Sequence, residues 1–421
     1  MPAPLPDAAP DAERRARARA AVDGIVRVTP VIRSSGLSDR FGAPVDLKAE
    51  SLQRTGAFKL RGALAKLAAL GDEAAPGVVA GSAGNHARGV AEAARAKGLP
   101  AVVYMPVGAP IAKIEACRAL GADVRLVDGQ VEAALAAAKE HAAETGMVFL
   151  HPFDDPDVVA GQGTIGSELL EQIPDLAQVV VPVGGGGLVS GIATAIKAER
   201  PDVRIVGVRA AARGAQRASR ESRSPVSPTD GLARPGGPVT TIADGIAVKT
   251  PGEYTGPLVE ALVDELVAVD EDSIAEAMVL LLDRVNLVVE GAGAVGLAAL
   301  LRDLVPRPAQ GSTVLVLSGG NVDLGLLAEI ARRHESLVGR RLGLIALLPD
   351  RPGALVGLAT AIASVGANVV EVQHVREGVD MHVGETTVRL VLETQGRDHA
   401  DTVLAAVRDA GFPVRRTDAT G

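Results

Sequence analysis

Residues 179–193 read VVVPVGGGGLVSGIA. A β-branched run ends near Pro182, four glycines follow, and aliphatic and small residues then continue at helical spacing. The wider span 177–196 carries no charge and is long enough to suggest a membrane crossing, but Pro182 and the glycines break its middle. It reads as strand, turn and helix. The same grammar recurs in VVAGSAGNHARGVA (78–91) and VLVLSGGNVDLGLL (314–327). Outward from these, β-rich runs such as PAVVYMP, DVRLVDG and VRIVGVR alternate with alanine-rich helical segments such as HARGVAEAARAKG, from about residue 45 to 335. That alternation predicts an α/β fold with a mainly parallel sheet covered by helices on both faces.

The chain has 421 residues, 47% of them hydrophobic, enough for two or three domains. A net charge of -8 argues against a broad basic face for nucleic acid. The run from Arg14 to Arg19 reads as a solvated helix end, and the N-terminal stretch 1–20 as a frayed tail without the pattern of a signal peptide. One cysteine, Cys117, excludes an intrachain disulfide or a multi-cysteine metal site and fits the helical core in KIEACRALGA. The histidines lack metal-ligand spacing, and His86 reads as a structural hydrogen-bonder. The expectation is a cytoplasmic protein with no metal and no membrane or nucleic-acid partner.

Between 211 and 238 the composition turns to Arg, Ser, Pro and Gly, as in a mobile surface loop. After Leu342 the order becomes β-α-β-β-α-β in about eighty residues, a ferredoxin-like arrangement, with IARRHESLVGRR as its connector. The expected division is therefore 1–335, with a small subdomain at about 50–150 inserted in a larger one, and 340–421.

Each glycine turn would aim free backbone N–H groups and the positive end of a helix at one spot, where an anion can approach closely. None is a P-loop, and the turn at Gly184 lacks the G-x-G-x-x-G spacing, so neither a nucleoside triphosphate nor a dinucleotide is indicated. Lys59 lies between Phe58 and Leu60 at a helix entrance. Alone, it could be a lysine snorkelling from a helix start. An apolar, partly buried setting would also lower its pKa and free the nitrogen to form an imine or act as a base. A lysine together with phosphate cups points to a phosphate-bearing aldehyde, pyridoxal 5'-phosphate.

AFKLRGA (57–63), GSAGNHARGVA (81–91), GQGTIGSELL (161–170), VPVGGGGLVSGI (181–192) and LSGGNVD (317–323), in this order, resemble the fold-type II pyridoxal-phosphate enzymes, and among them the threonine ammonia-lyases, also called threonine dehydratases. The likeness runs from about residue 20 to 335 and implies two open α/β subdomains of the tryptophan synthase β kind. The stretch 344–373 resembles an ACT domain, a regulatory module of amino-acid enzymes.

By that resemblance Lys59 would carry the cofactor and act as the catalytic base, with Phe58 beside it. Asn85 would bond the cofactor's 3'-hydroxyl, Gly184, Gly185, Gly186, Gly187 and Leu188 would hold its phosphate, and Ser318 would face the pyridine nitrogen. Ser82, Ala83, Gly84 and Asn85 would receive the substrate carboxylate. The implied reaction is elimination of water from L-threonine followed by hydrolysis of the released enamine to 2-oxobutanoate and ammonia, in isoleucine synthesis or threonine breakdown. In the ACT-like part, Asp350, Gly353 and Asn368 match positions that line amino-acid effector pockets, and a ligand-free dimerisation module is the alternative. A homodimer or homotetramer is expected.

Racemases of this fold carry a second serine where this chain has Ala83, so elimination is favoured over racemisation. Ala57, Arg209 and Ser51 are further departures, and Arg209 stands where some relatives hold a divalent metal with an acid. Glu290, in VVEGAGAVG, could line the cofactor site, cap a helix or serve in packing. The alternatives to the lyase are a serine racemase or L-serine dehydratase, and an inactive amino-acid sensor.

Overall fold

The computed structural model describes residues 5–211, 241–248, 252–376 and 384–417. The loop expected between 211 and 238 lies outside them beyond Ala211. The chain divides into two compact units, Met1–Val322 and Asp323–Gly421.

The first unit contains strands β1 (Val31–Arg33), β2 (Val45–Lys48), β3 (Val78–Gly81), β4 (Ala101–Pro106), β5 (Asp123–Val127), β6 (Val148–Phe149), β7 (Leu176–Pro182), β8 (Arg204–Ala210), β9 (Glu265–Val269) and β10 (Ser312–Val316). They form a six-stranded sheet in the order β1-β2-β10-β7-β8-β9 and a four-stranded sheet in the order β5-β4-β3-β6. Every pairing is parallel except β1 with β2. Val179, Val180 and Val181 are all buried, as expected for a central strand with helices on both faces. Among the described residues no helix is long and apolar enough to cross a membrane, and 177–196 resolves into β7, a turn and the helix Gly187–Glu199.

Three helices set the site's geometry, and glycines let their backbones meet. A Cβ on Gly161, in the helix Pro156–Gln172, would lie 2.5 Å from the Arg61 carbonyl of the helix Lys59–Leu70. On its other side, a Cβ on Gly163 would come 2.8 Å from Gly191 O and one on Gly166 2.9 Å from Ile192 O, both in the helix Gly187–Glu199. The motif GQGTIG is thus a spacer that fixes the lysine helix against the glycine-turn helix.

Beneath Lys59, a buried charge cluster anchors the same helix. The Arg61 guanidinium donates to Glu50 at 2.8 and 2.9 Å, to Glu168 at 2.6 and 3.1 Å, and to Thr164 at 3.1 Å. The Lys48 amine donates to Glu168 at 2.5 Å and to Gln172 at 2.9 Å. Lys48, Glu50 and Arg61 are fully buried, so each charge depends on its partners for stability.

The N-terminal region departs from the sequence expectation. Residues Ala12–Val22 form a helix capped by Asp11, and Arg14 and Arg17 reach the Asp157 carboxylate at 3.0 and 3.3 Å. Ala18 packs with Ala65 and Ala160, and the Tyr254 hydroxyl donates to Ala8 O at 2.8 Å. The expected fray is absent there because Ala18, Ala21 and Val22 are buried and Arg14 and Arg17 pair with Asp157, while the alanines give only a weak apolar stripe in sequence.

In the second unit, β11 (Arg341–Pro349), the helix Ala354–Ser364, β12 (Asn368–Val375), β13 (Glu385–Glu393), the helix Arg397–Asp409 and β14 (Val414–Thr417) follow β-α-β-β-α-β order. The antiparallel sheet runs β12-β13-β11-β14 over a core that includes Leu344, Leu358, Val388 and Val403. The helix Leu324–Leu337, which contains much of the expected connector, also belongs to this unit.

Candidate active site

The site gathers at the carboxyl ends of parallel strands, the usual place in open α/β sheets. Lys59 opens the helix Lys59–Leu70, and its approach is stitched to the loop after β10. Phe58 N–H donates to Ser318 O at 3.1 Å, Gly320 N–H to Gly56 O at 2.9 Å, and Glu290 N–H to Gly319 O at 3.0 Å. Ala57 and Gly319 form an isolated bridge, and Ser318 is buried. Lys59, Ser318 and Glu290 are thereby brought to one place from three distant parts of the chain.

The Lys59 amine points inward. It donates to Pro152 O at 2.7 Å and lies 5.0 Å from the centroid of the Phe58 ring. The residue keeps some surface, but the amine lies deep among protein atoms, and it is the amine's surroundings that set its proton affinity. Burial lowers its pKa to about 8, against the opposing pull of Glu290.

Phe153, the residue after the amine's acceptor, packs on the glycine turn. Ring atoms of Phe153 would lie 2.5 Å from a Cβ on Gly185, and Phe153 O 2.9 Å from one on Gly187. Ile246 Cα would be 2.9 Å from a Cβ on Gly184, and Gly186 has φ of +91°. The glycines are therefore required by what packs against the turn, a cause beyond anion approach and the tightness of a strand-to-helix turn. The N–H groups of Gly187, Leu188 and Val189 precede the first helical bond here, from Ser190 N to Gly186 O at 2.9 Å. Such a start fits a phosphate ester, and the buried lysine fits an aldehyde.

In the Ser82–Asn85 loop, Gly84 N–H already donates to Ser82 Oγ at 3.1 Å, so that donor is engaged within the loop. Asn85 begins the helix Asn85–Lys97. Its Nδ2 donates to Glu290 Oε1 at 2.6 Å, and its Oδ1 accepts from Asn321 Nδ2 at 2.6 Å. Arg88 in turn donates to Asn321 Oδ1. This chain of bonds fixes which way the Asn85 amide faces. Glu290 makes no side-chain cap on its own helix, Gly291–Leu301. Burial, then Asp244, raises its pKa to about 7 although the Asn85 bond opposes the rise.

His86 Nε2–H donates to Leu150 O at 2.9 Å, and burial followed by nearby Lys59 pushes its pKa down to about 3, so it stays a neutral structural group. Cys117 is buried, and burial raises its thiol to about 11. Four contributors escaped the sequence reading: Pro152, Phe153, Thr255 and Asn321. Only Asn321 lay inside a quoted motif; the stretch HPFDDP offered a loop signal, a proline after an N-capping Asp155, without a chemical one.

The residues expected to line an effector pocket belong to the second unit and have local partners. Asp350 accepts from Arg376 at 2.6 Å, Asn368 Nδ2 donates to Glu393 at 3.2 Å, and Gly353 caps the helix Ala354–Ser364 with φ of +89°.

A family profile described as pyridoxal-phosphate dependent enzyme matches residues 22–319. An L-threonine ammonia-lyase of Geobacter sulfurreducens is 47% identical over 391 residues, covering 92% of this chain and 95% of the relative. One from Thermotoga maritima is 44% identical over 399 residues, covering 94% and 97%. Among solved structures, maize serine racemase superposes with a TM-score of 0.68 at 36% identity, over 78% of this chain and 99% of that one. The processed form of threonine deaminase isoform 2 from Solanum lycopersicum gives 0.66 at 34% identity, over 79% and 90%.

Proposed function

The chain belongs to the pyridoxal-phosphate-dependent enzymes, and from that premise we propose that it eliminates water from L-threonine to give an enamine that water then hydrolyses to 2-oxobutanoate and ammonia, with some turnover of L-serine. Its cofactor is pyridoxal 5'-phosphate. The observation that carries the reading is the Lys59 amine, bonded to Pro152 O at 2.7 Å beside the Phe153 ring that seats the glycine turn.

Bound there, pyridoxal phosphate supplies an electron-withdrawing ring that acidifies the substrate's Cα–H. Lys59 would take that proton at Nζ, since a pKa near 8 leaves neutral amine available close to neutral pH. The residues from Gly184 to Leu188 would hold the phosphate, and Ser318 would meet the ring nitrogen with a neutral hydroxyl. Asn85, held by Glu290 and Asn321, would present its amide edge to the ring's hydroxyl. The helix start at Asn85 supports a seat for the substrate carboxylate, and Ala83 offers no proton from the opposite face, which supports elimination over inversion at Cα.

Purified protein given L-threonine should release ammonia and 2-oxobutanoate in equal amounts. L-serine should react more slowly by a modest factor, because one methyl group is worth only ~1–3 kcal/mol in an apolar pocket. Absence of 2-oxobutanoate from L-threonine sinks the reading, and formation of D-serine from L-serine as the main product would favour the racemase instead.

The proposal extends to an amino-acid effector at the βαββαβ unit, to assembly as a homodimer or homotetramer, and to the cytoplasm. The turn at Gly353 into a helix start supports the first, and the single buried cysteine supports the last. Thermal shift and sedimentation with branched-chain amino acids test the first two: an unmoved melting temperature removes the effector, and the mass of a single chain removes the assembly.

A further inference from the structure

The glycine turn is held from behind by a segment distant in sequence. Thr255 is fully buried, and its hydroxyl lies 2.6 Å from Gly185 O and 3.2 Å from Asp154 Oδ1. A hydroxyl has one proton, and the shorter contact, to Gly185 O, takes it. Thr255 is itself clamped: Asp154 Oδ1 accepts the N–H groups of Tyr254 and Thr255 at 3.0 Å, and Oδ2 accepts that of Glu253 at 3.0 Å. A Cβ on Gly186 would lie 2.9 Å from Thr255 Cβ, so this side of the turn is filled by the threonine.

The Gly185 carbonyl and the Gly186 N–H belong to one planar trans peptide unit, in which they point in opposite directions. Fixing the carbonyl toward Thr255 therefore fixes the Gly186 N–H away from it. We infer that Thr255, locked by Asp154, is a positioning residue that aims the Gly186 N–H into the anion cup and so sets affinity for the phosphate ester of the cofactor. The inference rests on the proposed reading of that cup as the phosphate seat. A residue that only capped the helix Thr255–Leu262 would affect folding without distinguishing a phosphorylated ligand from its unphosphorylated counterpart.

The test compares pyridoxal 5'-phosphate with pyridoxal, which has the aldehyde but no phosphate, by absorbance titration of the full-length protein stripped of cofactor. Thr255→Val should raise the Kd for the phosphate ester at least about tenfold, the loss of one hydrogen bond to a charged group. Pyridoxal affinity should stay within about twofold, and Thr255→Ser, which keeps the donor, should match wild type for both within that margin. If Thr255→Val does not fold, Thr255→Ala is read by the same ratio, with circular dichroism confirming its fold. A parallel loss for both ligands, or no loss for the phosphate ester, overturns the positioning role. Wild-type protein that binds the ester no more tightly than pyridoxal overturns the parent reading instead.

Discussion

Lys59→Ala is expected to abolish turnover of L-threonine and the absorbance of the lysine-bound cofactor together. The amine at position 59 is asked both to hold the aldehyde and to move the Cα proton, and a positioned proton-transfer group alone is worth ~10²–10⁴ in rate. A fall in kcat of at least about 10³-fold should therefore be measured, and Lys59→Arg should not restore it, because a guanidinium stays protonated. The same residue predicts a pH dependence. With the pKa lowered by burial to about 8, the neutral fraction of the amine in cofactor-free protein grows as pH rises through that value. Uptake of pyridoxal phosphate should accelerate over that interval and slow by about tenfold per unit well below it. Undiminished turnover in Lys59→Ala removes the assignment, and a flat uptake profile removes the role of burial.

Arg61→Ala should carry the largest cost in stability. Removing the guanidinium leaves the Glu50 carboxylate fully buried and leaves Glu168 with Lys48 alone. Breaking a buried pair from one side costs ~3–5 kcal/mol, which urea unfolding would read as a lower midpoint. A change below about 1 kcal/mol, the level of a surface ion pair, would contradict this account. The cluster also gives wild type an acid limit. Burial alone would raise the Glu50 carboxyl, but Arg61 brings it below its ordinary value. A depressed carboxyl stabilises the fold above the unfolded pKa of about 4.3, and this contribution is lost as pH falls through the folded value.

Much of this was legible in the chain. The alternation of β-rich runs with helical segments gave the parallel sheet, and Lys59 and the glycine turns stood out as candidates because lysine, glycine runs and strand-to-helix turns have few uses in combination, whereas Ser318 entered only through the resemblance of LSGGNVD. Glu290 was visible as a candidate, but its role could not be read, since only folding brings it 2.6 Å from Asn85 across two hundred positions. Phe153 and Thr255 were invisible for a related reason: they act by packing on a turn from behind, and packing partners leave no spacing in the sequence. The alanine-faced helix Ala12–Val22 was misread because small residues bury against small residues without a strong apolar signal.

The acceptor that receives the Lys59 amine is a main-chain oxygen, that of Pro152. A side-chain partner can be deleted by one codon change, whereas a carbonyl is present whatever residue occupies the position. Variation at 152 can therefore shift the course of the chain beneath Phe153 but cannot strip the amine of its resting contact, so this grip is insulated from missense change in a way that the Asn85 and Glu290 pair is not.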